Sequence, residues 1–166
     1  MEQTKICTKC KQEKPLSEFG TSRTVKKDKP DSWCKQCCRD SGKKWRSTAS
    51  GIYSMSKAQW GLRKRKPFNM EREEFIEWYN VQPKFCVYCG LPESEIKNID
   101  DPFMNASIRL TIDCKDNYRG YDIDNIVLCC RRCNALKNDF MSYEEMLEIG
   151  QKYIRPKWEK LLDRVF

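Results

Sequence analysis

Eight of the eleven cysteines fall into four C-x-x-C pairs: Cys7/Cys10, Cys34/Cys37, Cys86/Cys89 and Cys130/Cys133. Two such pairs suit a tetrahedral zinc site, because each short turn aims two thiolates at one point about 2.3 Å from the metal. The first two pairs are separated by 23 residues and the last two by 40, so sequential pairing is the simple assignment. One zinc then closes residues 7–37 and a second closes residues 86–133. The chain has no histidine. Each zinc site is therefore all-cysteine or borrows a carboxylate, and no imidazole is available as a general base. An odd number of cysteines cannot all pair within one chain, and regularly spaced cysteines in a reducing compartment more often bind metal than form disulfides. Cys38, Cys114 and Cys129 are left over. Cys38 and Cys129 each adjoin a ligand, so Cys34/Cys38 and Cys129/Cys133 are alternative registers; the C-x-x-C spacing favours Cys37 and Cys130. Cys129 ends the run Ile126-Val127-Leu128 and reads as a small buried hydrophobe.

A second constellation lies between Leu110 and Asp139. Alternation of Leu110, Ile112 and Cys114 with Arg109, Thr111 and Asp113 predicts a strand. A polar turn region over residues 117–125, a second strand over 126–129 and a helix from near Arg131 to about Asp139 follow. Asp113 then ends the first strand and Asn134 lies in the first turn of the helix. A carboxylate and a carboxamide oxygen converging there are hard ligands, suited to Mg²⁺ or a similar divalent ion. Lys137 falls one turn after Asn134, and Arg131 and Arg132 sit at the helix start. With the helix N-terminus, these cations would favour a phosphate.

In this segment the sequence resembles the HNH endonuclease family, whose core is the ββα-metal fold. The matching residues are Asp113, Asn125, Cys130, Cys133, Asn134 and Lys137, with Cys86/Cys89 as in zinc-stapled members, over residues 86–140. The N-terminal Cys7–Cys37 segment and the basic stretch after it are similar to zinc-knuckle extensions of phage-type members. The resemblance implies that Asp113 and Asn134 hold a catalytic divalent ion, that Asn125 ties the loop between the strands, and that the setting is the cytoplasm of a bacterial or phage-infected cell. It also marks a departure. Where the family has a histidine to activate water, this chain has Cys114. Three readings of Cys114 follow: an unusual base, which would need strong activation because a thiol has a pKa near about 8.5; catalysis assisted by another group, with Lys115 and Asp116 nearest and Tyr118 and Tyr121 further away; or loss of catalysis. Alternation places Cys114 on the opposite strand face from Asp113.

These residues need elements to hold them, and the 166-residue composition bounds those elements. Charged residues make up 34% and apolar ones 39%, too few for one large hydrophobic core, so metal must supply part of the folding free energy. The charge is uneven: residues 1–66 carry 18 Lys/Arg against 6 Asp/Glu, and the remainder 14 against 18. A basic first part suggests a polyanion partner. The cations singled out are Lys43, Lys44, Arg46, Arg63, Lys64, Arg65 and Lys66, together with Arg131, Arg132 and Lys137. Residues 41–66 read as helical, interrupted at Gly51 and Gly61 and ended by Pro67. Asn69 is a candidate N-cap for a helix over 70–81 with Phe75, Trp78 and Tyr79 on its core face. Ser142 and Glu145 form a capping box, with Met141 and Met146 at staple positions. Pro156 breaks the pattern before a last amphipathic stretch; both C-terminal helices read as packing elements.

The fold class is thus a small zinc-stabilised α+β chain. A zinc knuckle over 1–40 and a basic, partly helical linker over 41–68 precede an HNH-type ββα-metal domain with C-terminal helices over 69–166. The cofactors are two structural Zn²⁺ and one catalytic Mg²⁺ or similar ion; the partner is DNA or another nucleic acid. The longest apolar run, Ile126 to Cys130, is far short of the roughly 20 residues of a membrane helix. The start, Met1-Glu2-Gln3-Thr4-Lys5, resembles neither a signal nor a transit peptide. No heptad or repeat marks an oligomer interface. Three functions compete: an HNH-type metal-dependent DNA endonuclease; a degenerate HNH protein that binds nucleic acid as an accessory factor; and a structural zinc module, which leaves the basic arm unexplained.

Overall fold

The computed structural model describes residues 3–21, 29–63, 67–99, 101–105 and 109–163. The chain forms two compact units, Met1–Ile52 and Tyr53–Phe166.

In the first unit, β1 (Thr4–Ile6) pairs antiparallel with β2 (Glu13–Pro15), and β3 (Phe19–Thr21) with β4 (Pro30–Cys34). The sequence predicts little regular structure here. Strands of three to five residues are too short to show a period, and the cysteine turns fix them instead. Cys7 follows β1, and its turn closes when Lys11 N–H donates to the Cys7 carbonyl at 2.8 Å. Cys34 ends β4 and caps α1 (Lys35–Arg46), its thiol accepting from Cys37 N–H at 3.5 Å. The buried core of this unit includes a cluster of Cys7, Phe19, Cys34 and Cys37 with Cys10 packed beside it.

After α1 the hydroxyls of Ser47 and Thr48 take the carbonyls of Lys44 and Trp45, at 2.7 and 2.8 Å. Helix α2 (Ala49–Arg63) then runs on through Gly51 and Gly61, which the sequence reads as interruptions. The break falls at Ser47-Thr48 because those side chains compete for the helix carbonyls. Gly51 has another reason: a Cβ there would collide with the Trp45 carbonyl.

In the second unit Tyr53 packs on Phe68 and Phe75, with centroids 5.5 and 5.7 Å away, and donates to the Met70 carbonyl at 3.0 Å. Helix α3 (Arg72–Val81) buries Phe75 and Tyr79, with Trp78 on their flank. Its N-cap is Glu71, not Asn69. Asn69 is drawn instead to the loop before the second strand of the core, with its amide on Asp122 and its N–H on the Tyr121 carbonyl. A 3-10 turn at Glu93–Asn98 and α4 (Pro102–Asn105) fill the connection after the second cysteine turn. The hairpin of β5 (Thr111–Cys114) and β6 (Ile126–Cys129) pairs Asp113 with Val127 and Cys114 with Ile126, and leads into α5 (Arg131–Lys137). Helix α6 (Tyr143–Ile149) opens with the capping box of Ser142 and Glu145, both reciprocal bonds present. A π-helical turn, Gly150–Ile154, joins it to α7 (Arg155–Leu162), with Pro156 in that helix's first turn. Among the described residues no helix is long and apolar enough to cross a membrane.

Candidate active site

The cysteines assemble as two groups of four, Cys7/Cys10/Cys34/Cys37 and Cys86/Cys89/Cys130/Cys133, each with its sulfurs within 4.8 Å of one another. Cys7 and Cys37 are 3.8 Å apart, as are Cys89 and Cys130. That separation is the edge of a ZnS₄ tetrahedron with bonds of about 2.3 Å, an edge of about 3.8 Å. None of the eleven cysteines is in a disulfide. Both groups therefore fit structural zinc. The register alternatives resolve as well: exposed Cys38 points to the Trp33 carbonyl, and buried Cys129 lies against the Thr111 hydroxyl. Burial raises the Cys7 pKa, but N–H groups of Cys10, Cys34 and Lys9 outweigh it and hold the thiol at about 6. Such a sulfur enters the site as thiolate.

The second cluster clamps the turn carrying Tyr88 against the start of α5. Cys130 caps α5, its sulfur accepting from Cys133 N–H at 3.4 Å, so this helix start is occupied by a zinc-ligand thiolate and offers no phosphate site. Beside it, Asp113 is buried at the end of β5. Its Oδ2 accepts a hydrogen bond of 2.7 Å from the Tyr88 hydroxyl and lies 3.6 Å from Lys137 Nζ. Desolvation raises the pKa of Asp113, opposed by the Tyr88 bond and the Lys137 charge. Burial and the neighbouring Asp113 charge push the Tyr88 phenol far up, so it stays protonated and donates.

Asn134 donates its amide to Thr111 Oγ1 at 3.0 Å and to the Ile112 carbonyl at 3.2 Å, which locks α5 onto β5. Asn125 is buried and closes the inter-strand loop: Oδ1 accepts from Asp116 N–H, and Nδ2 donates to the carbonyls of Asp116 and Gly120 at 3.0 and 2.7 Å.

One placement differs from the sequence reading and one agrees with it. Lys137 is not on the surface. It is fully buried, donating to the Cys114 carbonyl at 2.8 Å and Asn117 Oδ1 at 2.6 Å, because the face it shares with Asn134 turns in beneath β5. A phosphate outside cannot reach it. Cys114 is buried with its thiol 3.2 Å from the Gly120 carbonyl, away from the Asp113 carboxylate, as strand alternation requires. Arg131 and Arg132 lie over the Phe103 ring at 4.6 and 5.0 Å, and Arg132 also pairs with Asp101. Lys43, Lys44 and Arg46 are exposed on α1. Arg63 ends α2, and Lys64, Arg65 and Lys66 lie outside the described residues.

The sequence reading missed Tyr88 and Asn117. A signal for Tyr88 existed: Cys89 must meet Cys130 and Cys133, so the residue before it is carried to the zinc site at the start of α5.

No family model and no curated protein matches this chain. Among solved structures it is similar to the rare-cutting HNH restriction endonuclease PacI, with a TM-score of 0.53 and 23% identity over 96% of this chain and 97% of that one. The likeness shows that the two chains share a fold. Asp113 carries a carboxylate and Asn134 a carboxamide oxygen, the kinds of hard donor that suit a divalent ion.

Proposed function

We propose that this chain is a metal-dependent endonuclease that hydrolyses or nicks DNA, bound through its basic N-terminal region. The observation that carries the reading is the Asp113 carboxylate, buried at the end of β5 in an HNH fold and oriented by Tyr88 and Lys137. An ion such as Mg²⁺ held by Asp113 and Asn134 would stabilise charge on the scissile phosphate and on the leaving 3′-oxygen. Tyr88 fixes one carboxylate oxygen. Lys137 offsets the cost of burying the carboxylate and braces the strand end through the Cys114 carbonyl. Asn125 keeps the loop folded over the site, and Asn134 holds α5 in register. These groups position the reaction without supplying a base.

A second reading is favoured by one observation: Cys114, in the place of the family's histidine, bonds Gly120 rather than facing Asp113. It describes a nucleic-acid-binding accessory protein without turnover. Supercoiled plasmid incubated with Mg²⁺, Mn²⁺ or EDTA separates the two. Nicking that needs the divalent ion and is lost in Asp113→Ala supports the endonuclease. DNA binding without cleavage under every metal condition supports the accessory factor.

A further inference from the structure

Helix α1 leaves the first zinc cluster as a largely solvent-exposed rod. At about 100° per residue, its residues can be placed around the axis from Lys35. Arg39 falls at about 40°, Lys43 at about 80° and Arg46 at about 20°, so four exposed cations share one arc of about 80°. Cys37, the buried residue that anchors the helix, falls at about 200°, on the far side. The acid of this helix, Asp40, lies off the arc at about 140° and bonds Gln36. Lys44 is also off it, at about 180°.

Gly42 lies just beside the cationic arc, at about −20°. A glycine in a helix interior costs about 1 kcal/mol relative to alanine. Nothing in the fold requires it there: among the described residues a Cβ at Gly42 would meet only the movable end of the Arg46 side chain, first at 3.1 Å. Gly51, by contrast, faces a backbone carbonyl. A position without a side chain beside the cations, covered only by the movable Arg46 guanidinium, lets a polyanion approach the helix closely.

We propose that this face of α1 (Lys35, Arg39, Gly42, Lys43 and Arg46) is the surface that docks on duplex DNA, with Gly42 at the point of closest approach. The inference rests on the DNA-binding reading above and refines it to one face of one helix. From Lys35 to Arg46 the arc runs about 16 Å, enough to meet several phosphates of a duplex, whose groove admits a helix. The half-exposed Trp45 borders this face and adds apolar contact.

The test is a titration of the full-length zinc-loaded protein against a fluorescent 20-base-pair duplex, repeated over a series of KCl concentrations. Two triple variants remove equal charge: Arg39→Gln/Lys43→Gln/Arg46→Gln on the arc, and Lys9→Gln/Lys11→Gln/Lys14→Gln on the zinc turn and β2. The arc variant should lower the salt slope by about 2–3 and the other by clearly less, since each lost phosphate contact is worth about 0.9. Gly42→Leu keeps every charge and favours the helix, so it should weaken binding while circular dichroism holds steady. Equal slopes for the two triple variants, or unchanged binding by Gly42→Leu, would overturn the docking face and leave the DNA-binding region standing. If neither triple variant altered affinity, the DNA-binding reading would fall with it.

Discussion

Lys137, which the sequence reading assigns to phosphate, keeps its ammonium inside the fold. With no exposed surface, its ammonium answers the Asp113 carboxylate, the Cys114 carbonyl and Asn117 at once. Lys137→Met should therefore destabilise the fold by about 3–5 kcal/mol in urea unfolding, because it leaves a buried carboxylate short of its partner. A loss below about 1 kcal/mol would mean that the ammonium is dispensable. Tyr88→Phe removes one hydrogen bond to a charged group, worth about 1.5–3 kcal/mol, and frees Asp113 to rotate. Plasmid nicking should fall far more than stability does; parallel losses would make Tyr88 a packing residue only. Cys114→Ala should leave nicking within a few-fold of the parent, since the thiol bonds Gly120, and Cys114→His should not restore a base, because an imidazole there starts on the wrong strand face and overfills a buried position. A large gain from Cys114→His would overturn that geometry. At this scale the sequence makes the zinc ligands visible through their spacing, whereas Asp113 and Asn134 were read from their places on strand and helix and Asn125 from the family resemblance. Asn117 and the inward turn of Lys137 were hidden, because they depend on which helix face lies beneath which strand.

Among the elements, the π-helical turn between α6 and α7 has the clearest structural reason. Gly150 lies so close to Tyr88 that a Cβ would strike its carbonyl oxygen, and Gln151 donates to that same carbonyl at 2.8 Å. Tyr143, at the start of α6, sets its ring 5.7 Å from the Tyr88 ring. The C-terminal helices, which the sequence reads as packing, thus press on the turn that carries Tyr88. Gly150→Val should lower the unfolding midpoint and reduce nicking together, whereas Ser142→Ala, which opens the capping box at the other end of α6, should cost about 1 kcal/mol and leave nicking nearly intact. If Gly150→Val were as mild as Ser142→Ala, the close approach would have no consequence. The capping box, the β5 and β6 strands and the core face of α3 were legible because each obeys a local rule of period or hydrogen bonding. The N-cap of α3 and the α1–α2 break were not: Asn69 had a competing partner in Asp122, and Ser47 and Thr48 took carbonyls that propensity assigns to the helix.

The two units differ in what holds them, and zinc removal should expose the difference. In Met1–Ile52 the cluster around the first zinc site holds four sulfurs and Phe19, so apolar burial alone leaves little to keep two short hairpins folded. In Tyr53–Phe166 the fully buried side chains include Phe75, Leu91, Ile96, Met104 and Met146 in addition to the four cysteines. Burying each such side chain contributes about 1.5–3 kcal/mol, so this unit retains a driving force when its metal is gone. Purified protein should contain close to two zinc per chain by elemental analysis. Cys37→Ser should contain one, and limited proteolysis should then cut within residues 4–46 while the rest resists. Its DNA affinity should fall, because α1 loses the anchor at Cys37. Cys133→Ser should also contain one zinc yet stay compact, with the damage confined to the start of α5. There the metal no longer ties Cys86 and Cys89 to the start of α5, Asn134 loses its hold on β5, and metal-dependent nicking should vanish. Equal protease sensitivity in both units of both variants would contradict this division, as would a chain that keeps two zinc ions after either substitution.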